Sequence, residues 1–149
     1  MTKILACGLL VVSPQGWLLA HATRSPRWDI PKGRWEEGET CLEAALRETW
    51  EETGLDFKDQ QDRIVDLGRH HYLRSKDMHL FRLDIPQALD LSNCCCHTYV
   101  ERSGGDKFLE TDRWEWVPPS KVAQRVGAGL VAYMQNLNLL GPSTLSSKP

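Results

Sequence analysis

The N-terminal part of the chain contains two apolar stretches separated by a short polar segment. Residues 4–12 form the first stretch and residues 17–20 the second, with Ser13-Pro14-Gln15-Gly16 between them. Short apolar runs bounded by proline and glycine are typical of strands joined by a turn. The pattern therefore predicts a β-hairpin at the start of the chain. A secretory signal is not indicated, because too few residues precede Cys7 to form its apolar segment.

A helical pattern begins at Thr40, after a loop over residues 24–33 that is rich in proline and glycine. Thr40 and Glu43 have the spacing of a capping box, and Gly54 is placed to end the helix. The residues that recur on one face of this helix are Leu42, Ala45, Leu46 and Thr49. This periodicity predicts a helix over residues 40–54.

The second half of the chain predicts three more strands and a final helix. The strands are expected at residues 63–68, 78–85 and 114–117, and Ser120 is placed to cap a helix that runs to about residue 140. Residues 70–77 are expected to be a polar connection and residues 90–105 an irregular excursion. Residues 141–149 are rich in serine and proline, which predicts a flexible tail.

Composition and charge fit one globular domain. A chain of 149 residues with 41% hydrophobic content can bury roughly two-thirds of its unfolded surface. We therefore expect a single domain over residues 1–140. The net charge of −2 mixes both signs along the chain, so no duplex nucleic acid is expected as a partner. No apolar run reaches the length of about 18 residues that a transmembrane helix needs, so no membrane partner is expected either.

The cysteines indicate a reducing compartment. Their number is five, and three of them are adjacent as Cys94-Cys95-Cys96, a spacing that suits neither paired disulfides nor a zinc knuckle. A cytoplasmic location follows. His97 invites a metal interpretation, but adjacent side chains of an extended segment point to opposite faces. A strand or loop of small residues is the better interpretation of this segment.

The predicted helix carries three glutamates on one flank. Glu48, Glu51 and Glu52 lie at positions i, i+3 and i+4, so their carboxylates crowd together and repel one another. A hard divalent cation with oxygen ligands would compensate this repulsion. Arg47 lies four residues after Glu43 and four before Glu51, where its guanidinium can orient carboxylates. Taken alone, this pattern is also typical of a solvated charged helix face.

The residues around these glutamates fall in a fixed register that resembles a known family. The signature of Nudix hydrolases is G-x5-E-x7-R-E-U-x-E-E-x-G-U, where U is a bulky aliphatic residue, and residues 33–55 read GRWEEGETCLEAALRETWEETGL. Every charged and glycine position of the signature matches. Thr49 departs from it at the first U position, where a smaller and more polar residue is expected to weaken packing. Chance agreement over so many positions is far rarer than for a short motif.

This resemblance implies an α/β protein with the Nudix-type α/β/α sandwich and a mixed central sheet. It also implies a pyrophosphohydrolase that cleaves a nucleoside diphosphate linked to another group X, with Mg²⁺ as cofactor and Mn²⁺ as the alternative. The implied metal ligands are Glu48, Glu51 and Glu52, with the Gly33 carbonyl as a further oxygen. Glu39 is expected to brace the loop rather than to contact the metal.

The resemblance also implies catalytic roles for these residues. The cation neutralises charge on the phosphates and lowers the pKa of a bound water, from which a carboxylate removes the proton. Clustered carboxylates raise one another's pKa, and Glu52 is our choice of base, with Arg47 orienting the ligands. In the family a downstream loop glutamate sometimes takes this role, and Glu110 is the best candidate here. Glu115 and Glu101 are weaker candidates and are expected to be surface charges.

The segment ahead of the signature carries information about the substrate. W-x-x-P-K-G at residues 28–33 is similar to enzymes that split diadenosine tetraphosphate asymmetrically. A nucleotide-type small molecule is the expected partner, with Arg27 and Lys32 contacting phosphate and Tyr133 stacking on a base. The helical spacing of Tyr133 with Leu130 and Met134 indicates a core residue instead, and both interpretations stay open at this point.

Other functions fit the same sequence. The first is a catalytically weak module that senses a nucleotide. Loss of a signature glutamate would support this function, but this sequence has all of the signature glutamates. The second is an RNA 5′-pyrophosphohydrolase, for which the basic residues Arg24, Arg27, Lys32 and Arg34 form a short cluster. The third is an isomerase, which would need further cysteine and glutamate positions that are not found. Either a monomer or a homodimer fits the sequence.

Overall fold

A mixed seven-stranded sheet forms the centre of the computed structural model, which describes residues 2–140. Its strands are β1 Ile4–Ser13, β2 Gly16–Ala22, β3 Trp28–Asp29, β4 Lys32–Arg34, β5 Val65–Leu73, β6 Lys76–Asp84 and β9 Thr111–Val117. The order is β3-β2-β1-β6-β5, with β4 also paired to β1 and β9 paired to β2. Among the strand pairings of this sheet within residues 2–140, only that of β1 with β6 is parallel. Two short strands, β7 Tyr99–Glu101 and β8 Lys107–Leu109, form a separate hairpin.

Helices cover both faces of the sheet. They are α1 Cys41–Thr53, α2 Pro119–Val122 and α3 Ala128–Asn136, and two 3-10 helices span Lys58–Arg63 and Leu91–Asn93. Because side chains alternate along a strand, Leu9 and Val11 of β1 pack with α1, whereas Leu10 belongs to the core with Leu130 and Met134 of α3. The predicted three-layer α/β/α arrangement with a mixed sheet is therefore confirmed.

The helix α1 has the caps that the sequence predicts. The Thr40 hydroxyl accepts from the Glu43 amide at 3.0 Å, and the Glu43 carboxylate accepts from the Thr40 amide at 2.7 Å. Gly54 ends the helix with φ of 78°, a left-handed conformation that favours glycine. Thr49 is fully buried and its hydroxyl donates to the Ala45 carbonyl at 2.8 Å. The polar atom of Thr49 is therefore satisfied inside the helix.

Several predicted boundaries are wrong. The loop over residues 24–33 includes β3 and the start of β4, and the connection predicted at residues 70–77 is instead a hairpin between β5 and β6. The irregular excursion contains a 3-10 helix and β7. Ser120 does not cap a long helix, because the chain forms two shorter helices and α3 starts after Gly127.

Two further predictions concern the chain as a whole. No helix within residues 2–140 has the length and apolar character needed to cross a bilayer. The predicted flexible tail at residues 141–149 lies outside the described residues.

Candidate active site

Three of the four glutamates of α1, Glu48, Glu51 and Glu52, lie on one flank of the helix. Glu48 and Glu52 are buried, with 8% and 5% of their surface exposed, and Glu51 is half-buried. The close approach of Glu48 to the chain before α1 depends on Gly33. A Cβ atom at Gly33 would lie 2.0 Å from the carboxyl carbon of Glu48. Any side chain at position 33 would therefore displace this carboxylate.

Arg47 ties the helix to the preceding loop. Its guanidinium donates two hydrogen bonds to Glu39, at 3.1 and 2.8 Å, and one each to Glu48 and Glu51 at 3.0 Å. The hydrogen bonds from Arg47 hold the pKa of Glu39 below its usual range. The expected contact between Arg47 and Glu43 is not formed, because the Glu43 carboxylate caps the helix instead. Arg47 therefore restrains one carboxylate of the loop and two carboxylates of the helix.

A small cavity brings together groups that are far apart in the sequence. It has a volume of about 90 Å³, and its lining includes Lys32, Glu52, Glu110 and Thr111. The Lys32 ammonium lies 3.1 Å from the Asp29 carboxylate. The predicted base, the predicted alternative base and one predicted phosphate-binding residue thus line one small cavity.

Three glutamates of this site, Glu48, Glu52 and Glu110, hold protons more tightly than ordinary glutamates. Burial and the neighbouring charge of Glu51 raise the pKa of Glu48 to about 7. Burial, followed by the charges of Glu110 and Glu48, raises the pKa of Glu52 well above its usual range. Burial also raises the pKa of Glu110, which Lys32 opposes. The protein therefore leaves part of the negative charge at this site uncompensated. A bound cation or a transferred proton would neutralise that charge.

The donor set suits a hard divalent cation. Glu48, Glu51, Glu52 and Glu110 offer carboxylate oxygens, the ligand type that Mg²⁺ prefers. Within residues 2–140, no three carboxylate, imidazole or thiol groups have the arrangement of a formed metal site. Arg47 engages one oxygen each of Glu48 and Glu51. A bound cation would therefore share these carboxylates with Arg47, and the residues present fit such an ion by their chemistry.

The other predicted site residues lie in different environments. Arg27 is exposed, and its guanidinium lies beside Gly127, at the start of α3. Tyr133 cannot stack on a substrate base, because it is only 2% exposed and its hydroxyl donates to the Met78 carbonyl at 2.7 Å. That part of the prediction is wrong, and the interpretation of Tyr133 as a core residue is correct.

The two weaker candidates for the base lie at the surface. Glu101 is exposed and Glu115 is paired with Arg125, so both are surface charges as expected.

The cysteine-rich segment packs against the C-terminal end of α1. The Cys95 sulfur lies 3.3 Å from His97 Nε2, and the His97 ring stacks on Trp50 with centroids 4.0 Å apart. The Cys96 side chain points to Thr98 and Thr111 instead. The five cysteines, all within the described part of the chain, are free thiols.

Sequence reasoning missed two residues that contact α1 at the site. The Thr111 hydroxyl and the Trp114 indole nitrogen each donate to the Glu52 carbonyl at 2.7 Å. No periodicity or motif signals these contacts, because they join residues about 60 positions apart. The position of Thr111 directly after Glu110 is the one clue that the sequence contains.

Known proteins resemble this chain in sequence and in fold. The family model for the NUDIX domain matches residues 2–136. An uncharacterized 17.7 kDa protein in the e-segB intergenic region of Enterobacteria phage T4 is 36% identical over 137 residues, which cover 91% of this chain and 87% of that protein. An RNA pyrophosphohydrolase of Bartonella tribocorum is 35% identical over 139 residues, with coverage of 74% and 73%. The structure of a C. elegans Ap4A hydrolase has a TM-score of 0.53 at 23% identity, with coverage of 91% and 92%.

Proposed function

This chain belongs to the Nudix family, whose members are usually pyrophosphohydrolases, and from that premise we propose that it hydrolyses a pyrophosphate bond in a nucleoside diphosphate linked to another group X. The observation that carries the proposal is the placement of Glu52, Glu110 and Lys32 around one cavity beside the glutamates of α1. Two acids with raised pKa values and one ammonium group are the components that proton transfer and phosphate binding require.

We propose Mg²⁺ as the cofactor, with Mn²⁺ as an alternative. Glu48, Glu51 and Glu52, with the Gly33 carbonyl, would hold the ion. When bound, it supplies positive charge to the phosphate oxygens and acidity to a water molecule. Arg47 orients Glu48 and Glu51 through the hydrogen bonds that it already donates to them.

Glu52 acts as the general base in this proposal. Its carboxylate is buried beside Lys32 and Glu110, where a raised pKa makes it a better proton acceptor than an exposed glutamate. Lys32 faces the same cavity and is placed to contact a phosphate oxygen of the substrate, as a compact charge on a restrained stem. Glu110 is the alternative base.

The surface favours a small nucleotide substrate over a long RNA. Of the four basic residues in the predicted cluster, Arg24 is paired with Asp106 at 2.7 Å and Lys32 with Asp29 at 3.1 Å. The cluster is therefore partly neutralised, which weakens its attraction for an extended phosphate backbone. The RNA 5′-pyrophosphohydrolase activity stays a second candidate because of the Bartonella tribocorum relative. Asymmetric hydrolysis of diadenosine tetraphosphate is the specific activity that the W-x-x-P-K-G segment suggests.

A substrate panel tests the proposal. Turnover is measured for diadenosine tetraphosphate, ADP-ribose, nucleotide sugars, nucleoside triphosphates and 5′-triphosphorylated RNA, with Mg²⁺ and with chelator. The expected result is hydrolysis of at least one nucleotide substrate with Mg²⁺ and its loss with chelator. Nucleotide binding without turnover of any panel member would support the sensing module instead.

A further inference from the structure

The last turn of α1 is held from outside by a later part of the chain. The carbonyl groups at the end of a helix have no partner within the helix. The Glu51 carbonyl accepts from the His97 amide at 2.6 Å, and the Thr53 carbonyl accepts from the Cys95 amide at 3.0 Å. The Glu52 carbonyl accepts from two side chains of β9, the Thr111 hydroxyl and the Trp114 indole. Residues 95–114 therefore hold the backbone of two site glutamates, Glu51 and Glu52, in place.

Thr111 occupies a special place in this arrangement because it directly follows Glu110. The Glu110 amide donates to the Thr98 carbonyl, and the Glu110 carbonyl accepts from the Thr23 amide, both at 3.0 Å. Thr111 itself is 5% exposed. The pairing of β2 with β9 also changes register between His21 and Ala22, opposite Thr111. Such irregularities redirect a side chain and are common next to active sites.

One hydrogen bond thus connects the backbone of one site acid to the neighbour of the other. We propose that Thr111 is a positioning residue, whose hydroxyl sets the placement of Glu52 relative to Glu110. This inference rests on the proposed pyrophosphohydrolase function, in which the two acids face the same substrate. Thr111 has this role through Glu52 and Glu110 rather than through contact with the reacting atoms.

The second donor to the Glu52 carbonyl allows a positioning role of Thr111 to be distinguished from simple hydrogen bonding of that buried carbonyl. If the Thr111 hydroxyl is removed, the Glu52 carbonyl keeps its hydrogen bond from Trp114. The carbonyl is then not left without a partner, but the direct connection to the residue after Glu110 is lost. Reacting groups must be held closely, and a displacement of about 1 Å can lower a rate about 100-fold.

The test compares Thr111→Val, which keeps the shape and removes the hydroxyl, with Thr111→Ser, which keeps the hydroxyl. On the panel substrate that wild-type protein turns over best, Thr111→Val is expected to lower kcat about tenfold or more. KM is expected to change less than about twofold, since Thr111 does not bind the substrate in this proposal. Thr111→Ser is expected to recover most of kcat. Wild-type kcat in Thr111→Val, or equal losses in both variants, would overturn the proposal.

A double-mutant comparison separates positioning from a general structural effect. In a Glu110→Gln background, Thr111→Val is expected to lower kcat by a smaller factor than in wild type, because one of the two acids no longer acts. The same factor in both backgrounds would overturn the role assigned to Thr111. If Thr111→Val does not fold by circular dichroism, Thr111→Ser and Thr111→Ala replace it, since both lack the methyl group and only serine has the hydroxyl. Equal kcat in that pair would overturn the proposal.

Different experimental outcomes would show that the role of Thr111 is wrong and that the proposed function is wrong. If wild-type protein turns over no panel substrate with Mg²⁺, the pyrophosphohydrolase function is wrong and the role of Thr111 falls with it. If wild-type protein is active and Thr111→Val matches it, only the role of Thr111 is wrong.

Discussion

At the scale of single residues, the environment of each glutamate decides what it can do. Glu43 and Glu48 lie on the same helix, yet the first is used by the helix cap and the second is buried against Gly33. Glu52 has no ion pair within residues 2–140, whereas Glu39 has Arg47. The glutamate with the highest burial and the least compensation, Glu52, is therefore the one best suited to accept a proton.

Replacement of the proposed base tests this assignment. Glu52→Gln is expected to lower kcat by about 100-fold or more, because it removes charge and basicity while keeping the size of the side chain. Steady-state hydrolysis of the best panel substrate measures the loss. Glu37→Gln is the matched control, since Glu37 is exposed and has no ion pair or hydrogen bond among the described residues. Near-normal rates in Glu52→Gln together with a large loss in Glu110→Gln would instead assign the base to Glu110.

The raised pKa of Glu48 makes the stability of the metal-free protein depend on pH. The pKa is about 7 in the folded state and 4.5 ordinarily, so the folded state retains a proton that the unfolded chain releases. The contribution of Glu48 to stability is complete below pH 4.5 and is lost as the pH rises through about 7. Urea unfolding in chelator is expected to show a decrease in the free energy of unfolding over this window, to which Glu48 contributes up to about 3 kcal/mol.

The variant Glu48→Gln isolates that contribution. It cannot ionise, so its free energy of unfolding is expected to fall less steeply between pH 4.5 and 7 than that of wild type. Identical pH dependence in both proteins would show that Glu48 has no raised pKa.

At the scale of elements, the helix α1 could be predicted closely because its signals are local. Thr40 and Glu43 cap the first turn of the helix and Gly54 caps its last turn, and their geometry is the one that the sequence predicts. The hairpin of β5 and β6 could not be predicted in this way, because β5 lies at the edge of the sheet and its residues are exposed or half-buried. Polar residues are tolerated along such an edge, so the alternation that marks a strand is lost.

The caps give a prediction at this scale. Thr40→Ala is expected to lower the free energy of unfolding by about 1 kcal/mol, because the Glu43 amide loses its hydrogen-bond acceptor. Ser120→Ala is expected to change it by less than about 0.5 kcal/mol, because Ser120 is exposed and does not cap its helix. Urea unfolding monitored by circular dichroism measures both. A larger loss in Ser120→Ala than in Thr40→Ala would contradict this account of the caps.

At the scale of the whole molecule, the site combines local and distant contributions. The glutamates of α1 and the signature that contains them follow from the sequence. The meeting of Lys32, Glu52 and Glu110 in one cavity depends on how β4 and the chain before β9 are placed beside α1. Such placement is fixed by strand pairing between residues far apart, as in the register of Cys7 with Gly33. The sequence could not decide between a substrate-binding and a core role of Tyr133 for the same reason, because its burial depends on packing against β6.

The proposed function depends most on a divalent cation bound by Glu48, Glu51 and Glu52 of α1. Binding of Mn²⁺, used as a paramagnetic substitute for Mg²⁺, is measured by electron paramagnetic resonance with and without a non-hydrolysable nucleotide. Saturable Mn²⁺ binding that Mg²⁺ displaces is expected, with affinity at least tenfold lower in Glu51→Gln and unchanged in Glu37→Gln. Absence of saturable Mn²⁺ binding in the wild-type protein, even with nucleotide present, would show that α1 holds no such cation.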